Sequence, residues 1–198
     1  DDAERAVQSA EMAKQPRSEM VARLTAGRTL LECADFERAR NHLSRGVDIA
    51  TSLQANRFRP FFEIFLSRID MIDGTCGSEI VDSLQEAVAL SRENGIGFVG
   101  PWVLSSLALA SPEPGVKWAA LEEGARLLAE GCVGHNYFAF YADAMEVTLQ
   151  DGDWPAVERY ARALEAYIEP EPLPLCRFYI ARARVLADHA QNPADTAI

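Results

Sequence analysis

The sequence predicts an all-α protein, an α-α superhelix of about ten antiparallel helices packed as successive hairpins. Three observations predict it. A small or apolar residue with partners four and seven positions later recurs five times: Ala3/Val7/Ala10, Ala39/Leu43/Gly46, Ile80/Leu84/Ala87, Ala120/Gly124/Leu127 and Val157/Ala161/Leu164. The first members are 36, 41, 40 and 37 residues apart, a period that marks stacked helix pairs, each too small to bury its own apolar face. Clusters of Gly, Pro and Asn break the chain into segments whose apolar positions recur at three and four, the helix period. No stretch alternates apolar and polar residues for more than a few positions, so no sheet is expected.

Ten helices follow in order. The first, over 2–14, carries Ala3/Val7/Ala10 and stops before Pro16. The second and third, over 17–33 and 35–53, bring Gly27 and Leu30 against Ala39/Leu43/Gly46. The break from Asn56 to Pro60 opens the fourth, over 59–73. The fifth, over 78–94, starts at Ser78-Glu79, read as a cap followed by an acid at the positive helix end. It closes at Asn94-Gly95, residues that tolerate the left-handed conformation. The sixth and seventh span 99–111 and 115–130, the eighth 135–150. Asp153 caps the ninth, over 154–168, ahead of Pro155, whose missing N–H costs nothing there. The tenth spans 173–190, after the break from Glu169 to Pro174. Short loops force neighbours to be antiparallel. The triads fall on the second helix of each hairpin, where Ala39, Gly46, Ala120 and Gly124 let axes approach and Leu43, Leu84 and Leu127 fill the gaps. Residues 1–190 read as one helical-repeat domain and 191–198 as a flexible tail. The start inside a helical pattern, without an initiator Met, reads as a fragment of a longer protein.

The 198 residues are 48% apolar and 25% charged, the balance of a folded soluble protein. A net charge of −11 repels phosphate backbones and anionic lipid, so neither nucleic acid nor a membrane surface is expected as partner. No run of about 18 apolar residues occurs to span a bilayer. Cys33, Cys76, Cys132 and Cys176 form no CxxC pair, and a helical stack this large needs no disulfide, so reduced thiols and a cytoplasmic location are expected. Cys132 and His135 make a lone CxxH with no second pair to complete a zinc site, and no metal or other cofactor is expected.

Within residues 24–51, Gly27 takes the tight helix-helix contact, Leu30 the usual aromatic position, and Asp35-Phe36 precede Ala39, Leu43 and Gly46. Residues 149–164 give Gly152-Asp153-Trp154 and then Val157/Ala161/Leu164. These stretches resemble the tetratricopeptide repeat (TPR) family, in a divergent form that lacks the early Trp and exceeds the usual repeat length. A second likeness covers about 130–188. It rests on Cys132-Val133-Gly134-His135-Asn136-Tyr137-Phe138, Gly152-Asp153-Trp154, Glu158-Arg159-Tyr160-Ala161, Glu171-Pro172-Leu173-Pro174 and Phe178-Tyr179-Ile180-Ala181-Arg182. That wording resembles the C-terminal repeat region of large bacterial proteins joining a class III adenylate or guanylate cyclase domain to an ATPase module. The resemblance implies a regulatory or assembly role in signal transduction.

Nothing in the chain predicts catalysis. Gly95-Ile96-Gly97-Phe98-Val99-Gly100 reads GxGxxG, but a helix precedes it and Pro101-Trp102 follows, so it reads as a loop. His42, placed on the outer face of its helix, His135 and His189 have no nucleophile motif beside them. The chain is therefore read as a binding module for protein or peptide segments, including other domains of its parent. Candidate groove residues are His135, Asn136, Tyr137 and Tyr141 on the eighth helix, with Phe138 and Asp143 beside them. Arg177 and Arg182 on the tenth join them, and with Arg184 form a basic stripe. Two alternatives stand: a small-molecule pocket near Trp102, Trp118 and Tyr141, and homo-oligomerisation through exposed solenoid ends.

Overall fold

A computed structural model of the chain describes residues 2–74 and 77–192. Cys76 and the tail from residue 193 onward lie outside the described residues. The described residues form ten helices and no strand: α1 (Asp2–Met12), α2 (Pro16–Glu32), α3 (Phe36–Ser52), α4 (Arg59–Ile72), α5 (Ser78–Glu93), α6 (Gly100–Ala110), α7 (Pro114–Glu130), α8 (His135–Gln150), α9 (Trp154–Ile168) and α10 (Pro174–Gln191). Each predicted helix is present, with ends within two residues of the prediction. None of these helices is long and apolar enough to cross a membrane.

The helices group into two compact units, Asp1–Val99 with α1 to α5 and Gly100–Ile198 with α6 to α10. In the first, each helix packs on the next, and α2 also touches α4. Its centre holds Leu43, Phe62, Ile64, Ile69 and Leu84, all essentially excluded from water. Gly27 brings the α2/α3 hairpin together, since a Cβ there would stand 2.6 Å from Cδ2 of Leu43. Gly46 makes room for a neighbour's ring instead, because a Cβ would stand 2.7 Å from Cζ of Phe62 on α4. The α5–α6 loop contains the GxGxxG stretch, and its packing accounts for it. Gly95, at φ +97°, lets the chain leave α5. Phe98 then packs edge-on against Phe58 and Phe61, with centroids 5.7 and 5.5 Å apart, and Arg57 lies 3.9 Å over the Phe98 ring.

Two sequence expectations change in this unit. Ser78 does not cap α5: it already lies in the first turn, and the capping position falls on Gly77, whose backbone is extended and which has no side chain to offer. His42 is not on an outer face. Its side chain is 12% exposed because a charge network straps α1 over it. His42 Nε2 lies 3.1 Å from Glu4, which also takes a 2.6 Å bond from Arg38. Arg23 binds Glu19 at 2.8 Å, Glu11, and approaches His42 Nδ1 at 3.4 Å. Hydrogen bonds from Arg38, then His42, hold the Glu4 carboxyl below its usual range.

In the second unit α6 packs on α7 and α8, and α8 on α9 and α10. From Gly100 to Ala108 every residue of α6 except Trp102 is buried. Its buried polar groups are matched from α8: the Ser105 and Ser106 hydroxyls donate to Oδ2 of Asp143 at 3.0 and 3.4 Å. Burying three polar side chains is tolerable because they satisfy one another. Gly124 repeats the device of Gly46, since a Cβ there would stand 2.9 Å from Cδ2 of Phe140. Asp153 caps α9 as predicted, accepting the Ala156 N–H at 3.1 Å.

Candidate functional site

The eighth helix spends most of its predicted groove residues on its own fold. Asn136 is fully buried. Its side-chain oxygen accepts the Trp102 N–H at 3.4 Å and its amide donates to Val133 O at 3.0 Å, so it fastens the start of α8 to α6. Tyr137 stacks on Tyr167 at 4.1 Å with planes 2° apart, and its hydroxyl donates to Leu128 O at 3.0 Å. His135 is half-buried, with its ring 6.3 Å from Trp102. Asp143, grouped with them by helical spacing, is buried against the α6 serines. Phe138 packs edge-on to Tyr179. Cys132, the other half of the CxxH, donates its thiol to Leu127 O at 3.2 Å, and burial pushes its pKa up.

The basic stripe expected on α10 is largely neutralised. Arg182 binds Glu146 of α8 at 2.8 Å. Arg184 binds Glu158 at 2.9 Å and Glu165 at 2.8 Å, both on α9. A protein of net charge −11 surrounds its arginines with acids, and one-dimensional spacing does not show which helix brings them. Arg177 alone of the three has no ion pair among the described residues.

Tyr141 stands apart. It forms the floor of a hollow of about 440 Å³ between α7 and α9, whose walls are Trp118, Glu122 and Ala125 on one side and Arg159, Tyr160 and Ala163 on the other. Local sequence builds it. Trp118, Glu122 and Ala125 are a four-and-seven row on α7, offset from the buried row that packs inward. Gly124 admits Phe140 beneath, and Phe140 meets Tyr141 at 5.4 Å and Tyr160 at 6.1 Å, both edge-on. Tyr141 and Tyr160 are 6.3 Å apart. The small side chains of Ala125 and Ala163 leave the space between the helices open.

The polar groups of this hollow are uncommitted. The Trp118 indole N–H, the Tyr141 and Tyr160 hydroxyls, the Glu122 carboxylate and the Arg159 guanidinium have no hydrogen bond or ion pair among the described residues. Arg159 rests 4.9 Å over the Tyr160 ring, a cation–π contact that leaves its N–H groups available. Burial, then the nearby Tyr137 and Tyr160, pushes the Tyr141 pKa up, so this phenol stays protonated and can donate. Arg162 and Lys117 nearby are paired, with Glu158 at 2.7 Å and Asp151 at 2.6 Å. An aromatic floor with donors and one acceptor at the rim suits recognition of a side chain, and nothing in it pairs a nucleophile with a base.

Sequence reasoning reached Tyr141 and Trp118 but not Glu122, Arg159 or Tyr160. The expected groove residues lie on the eighth and tenth helices, whereas the open residues lie mainly on α7 and α9. A larger hollow, about 790 Å³ between α9 and α10, includes Arg177, but its Arg162, Glu165 and Arg184 are already paired. No protein-family model, curated protein or solved structure matches the chain.

Proposed function

We propose that this chain is a non-catalytic, TPR-like recognition module that binds a peptide segment of a protein partner in the α7–α8–α9 hollow. The observation that carries this reading is the convergence of five uncommitted polar groups on one aromatic-floored hollow. Tyr, Trp and Arg are the residues that dominate interface energetics when they line a pocket. The hollow takes an apolar or aromatic anchor residue over Tyr141, with Arg159 meeting an acceptor and Glu122 a donor of the flanking peptide. The wording of residues 130–188 supports placing the module in a bacterial signalling protein of the cyclase–ATPase type, where it serves regulation or assembly. A small planar ligand is the second reading, favoured by a volume within the range of small-molecule sites, about 300–1,000 Å³.

Selection of a random peptide library displayed on phage against the immobilised chain tests the reading. Enriched peptides are expected to lose affinity tenfold or more on Trp118→Ala or Arg159→Ala, with helical circular dichroism unchanged. Absence of enrichment, or enriched peptides indifferent to both substitutions, overturns the peptide reading. A thermal-shift response to small aromatic compounds without peptide binding favours the second reading instead.

A further inference from the structure

The outer face of α10 carries the most concentrated exposed apolar surface in the described residues. Cys176, Ile180, Ala183 and Ala187 are its buried face. On the opposite face Phe178 is 60% and Val185 66% exposed, flanked by Leu175 at 53% and Leu186 at 41%. Phe178 and Val185 are seven residues apart, so they lie on one stripe two turns long, with the small, exposed Ala181 between them. Among the described residues α10 packs only on α9 and α8. Leaving four large apolar side chains in water on one helix is unfavourable and marks an interface.

We infer that this face binds a second copy of the chain, α10 against α10 in antiparallel orientation about a two-fold axis. The stripe is self-complementary in that sense. Reversing one helix over the other about the point between Ala181 and Arg182 sets Phe178 of each copy against Val185 of the other, with the small Ala181 beside the crossing point where the axes must approach. Charge selects the same direction. Arg177, near the start of the stripe, and Asp188, near its end, lie on one flank of the helix, and neither has an ion pair among the described residues. An antiparallel pair brings Arg177 of one copy beside Asp188 of the other, twice. A parallel pair would instead put the two flanks that carry Arg177 and Asp188 on opposite sides of the seam, leaving both charges without a partner. None of these residues belongs to the α7–α8–α9 hollow, so the interface and the peptide reading can fail separately.

Sedimentation velocity over a dilution series tests it. The chain is expected to sediment as a species of twice its 21.8 kDa, dissociating on dilution. Phe178→Glu and Val185→Glu change exposed positions, so helical circular dichroism should persist while the dissociation constant rises tenfold or more. Arg177→Asp and Asp188→Arg should each weaken the dimer, and the double swap should restore it. A wild-type chain that is monomeric throughout, or a dimer unaffected by Phe178→Glu, overturns the interface. Failure of the double swap to restore association overturns the antiparallel arrangement.

Discussion

Phe140 occupies the space that a side chain on Gly124 would need, and the same relationship holds between Phe62 and Gly46. Both pairs recur at one interval, since Gly124 follows Gly46 and Phe140 follows Phe62 by 78 residues. Phe140 is fully buried beneath Tyr141 and Tyr160, so its ring has nowhere to retreat. Gly124→Ala should therefore destabilise the fold despite Ala's better helix propensity. Overpacking costs about 1–3 kcal/mol and propensity returns about 1, leaving a net loss of up to roughly 2 kcal/mol. Gly115→Ala, in the first turn of the same helix with nothing within 4 Å, should be neutral or gain up to about 1 kcal/mol. Urea denaturation of the two variants checks the contrast.

Asp143 accepts from two buried serines, and its removal strands Ser106, whereas Ser105 keeps Trp102 O as acceptor at 2.9 Å. Asp143→Ala should cost about 1–3 kcal/mol, chiefly by leaving the Ser106 hydroxyl unsatisfied between α6 and α8. Adding Ser106→Ala should recover part of that loss, because an absent hydroxyl needs no acceptor. The double-mutant cycle by chemical denaturation measures the coupling. Simple additivity would show that the serine and aspartate act independently.

Ala34 joins α2 to α3 at φ +59°, a left-handed conformation that strains any residue with a Cβ. Ala34→Gly should stabilise the first unit by up to about 1 kcal/mol, the strain relieved exceeding the entropy glycine adds to the unfolded chain. Thermal unfolding reads this as a raised midpoint, and a lowered one would place the strain elsewhere.

Acid should loosen α10 from α9. Hydrogen bonds from Arg184, then Arg162, hold the Glu158 carboxyl below its ordinary 4.5, and Arg184 hydrogen bonding does the same for Glu165. A carboxylate with a depressed folded pKa stabilises the fold fully above the ordinary value and loses that contribution as pH falls through the depressed one. Stability should therefore be level on this account above about pH 5 and decline below pH 4.5. Arg184→Gln should flatten the decline. Hydrogen exchange of α10 amides across that range follows it.

The helices were legible because each carries its own punctuation. Asp153 before Pro155 and Asn94 before Gly95 mark ends through backbone chemistry that is local in sequence. What stayed hidden depends on partners far along the chain. Nothing near His42 announces that Glu4 and Arg23 will enclose it. The α10 arginines look like a basic stripe until Glu146, Glu158 and Glu165 arrive from α8 and α9. Asn136 and Tyr137 carry the polar and aromatic chemistry of a groove, yet here Asn136 satisfies a loop carbonyl and Tyr137 a carbonyl in the last turn of α7. The open row on α7 is present as Trp118/Glu122/Ala125, but Gly124 beside it belongs to the buried face, and spacing alone does not show which row stays open.

Tryptophan fluorine NMR tests the central claim most directly, because the chain has three tryptophans and only Trp118 lines the hollow. With 5-fluorotryptophan incorporated, a selected peptide should shift the Trp118 resonance and leave those of Trp102 and Trp154 in place. A bound peptide that moves Trp102, beside His135, and leaves Trp118 unchanged would contradict the assignment and return recognition to the start of α8.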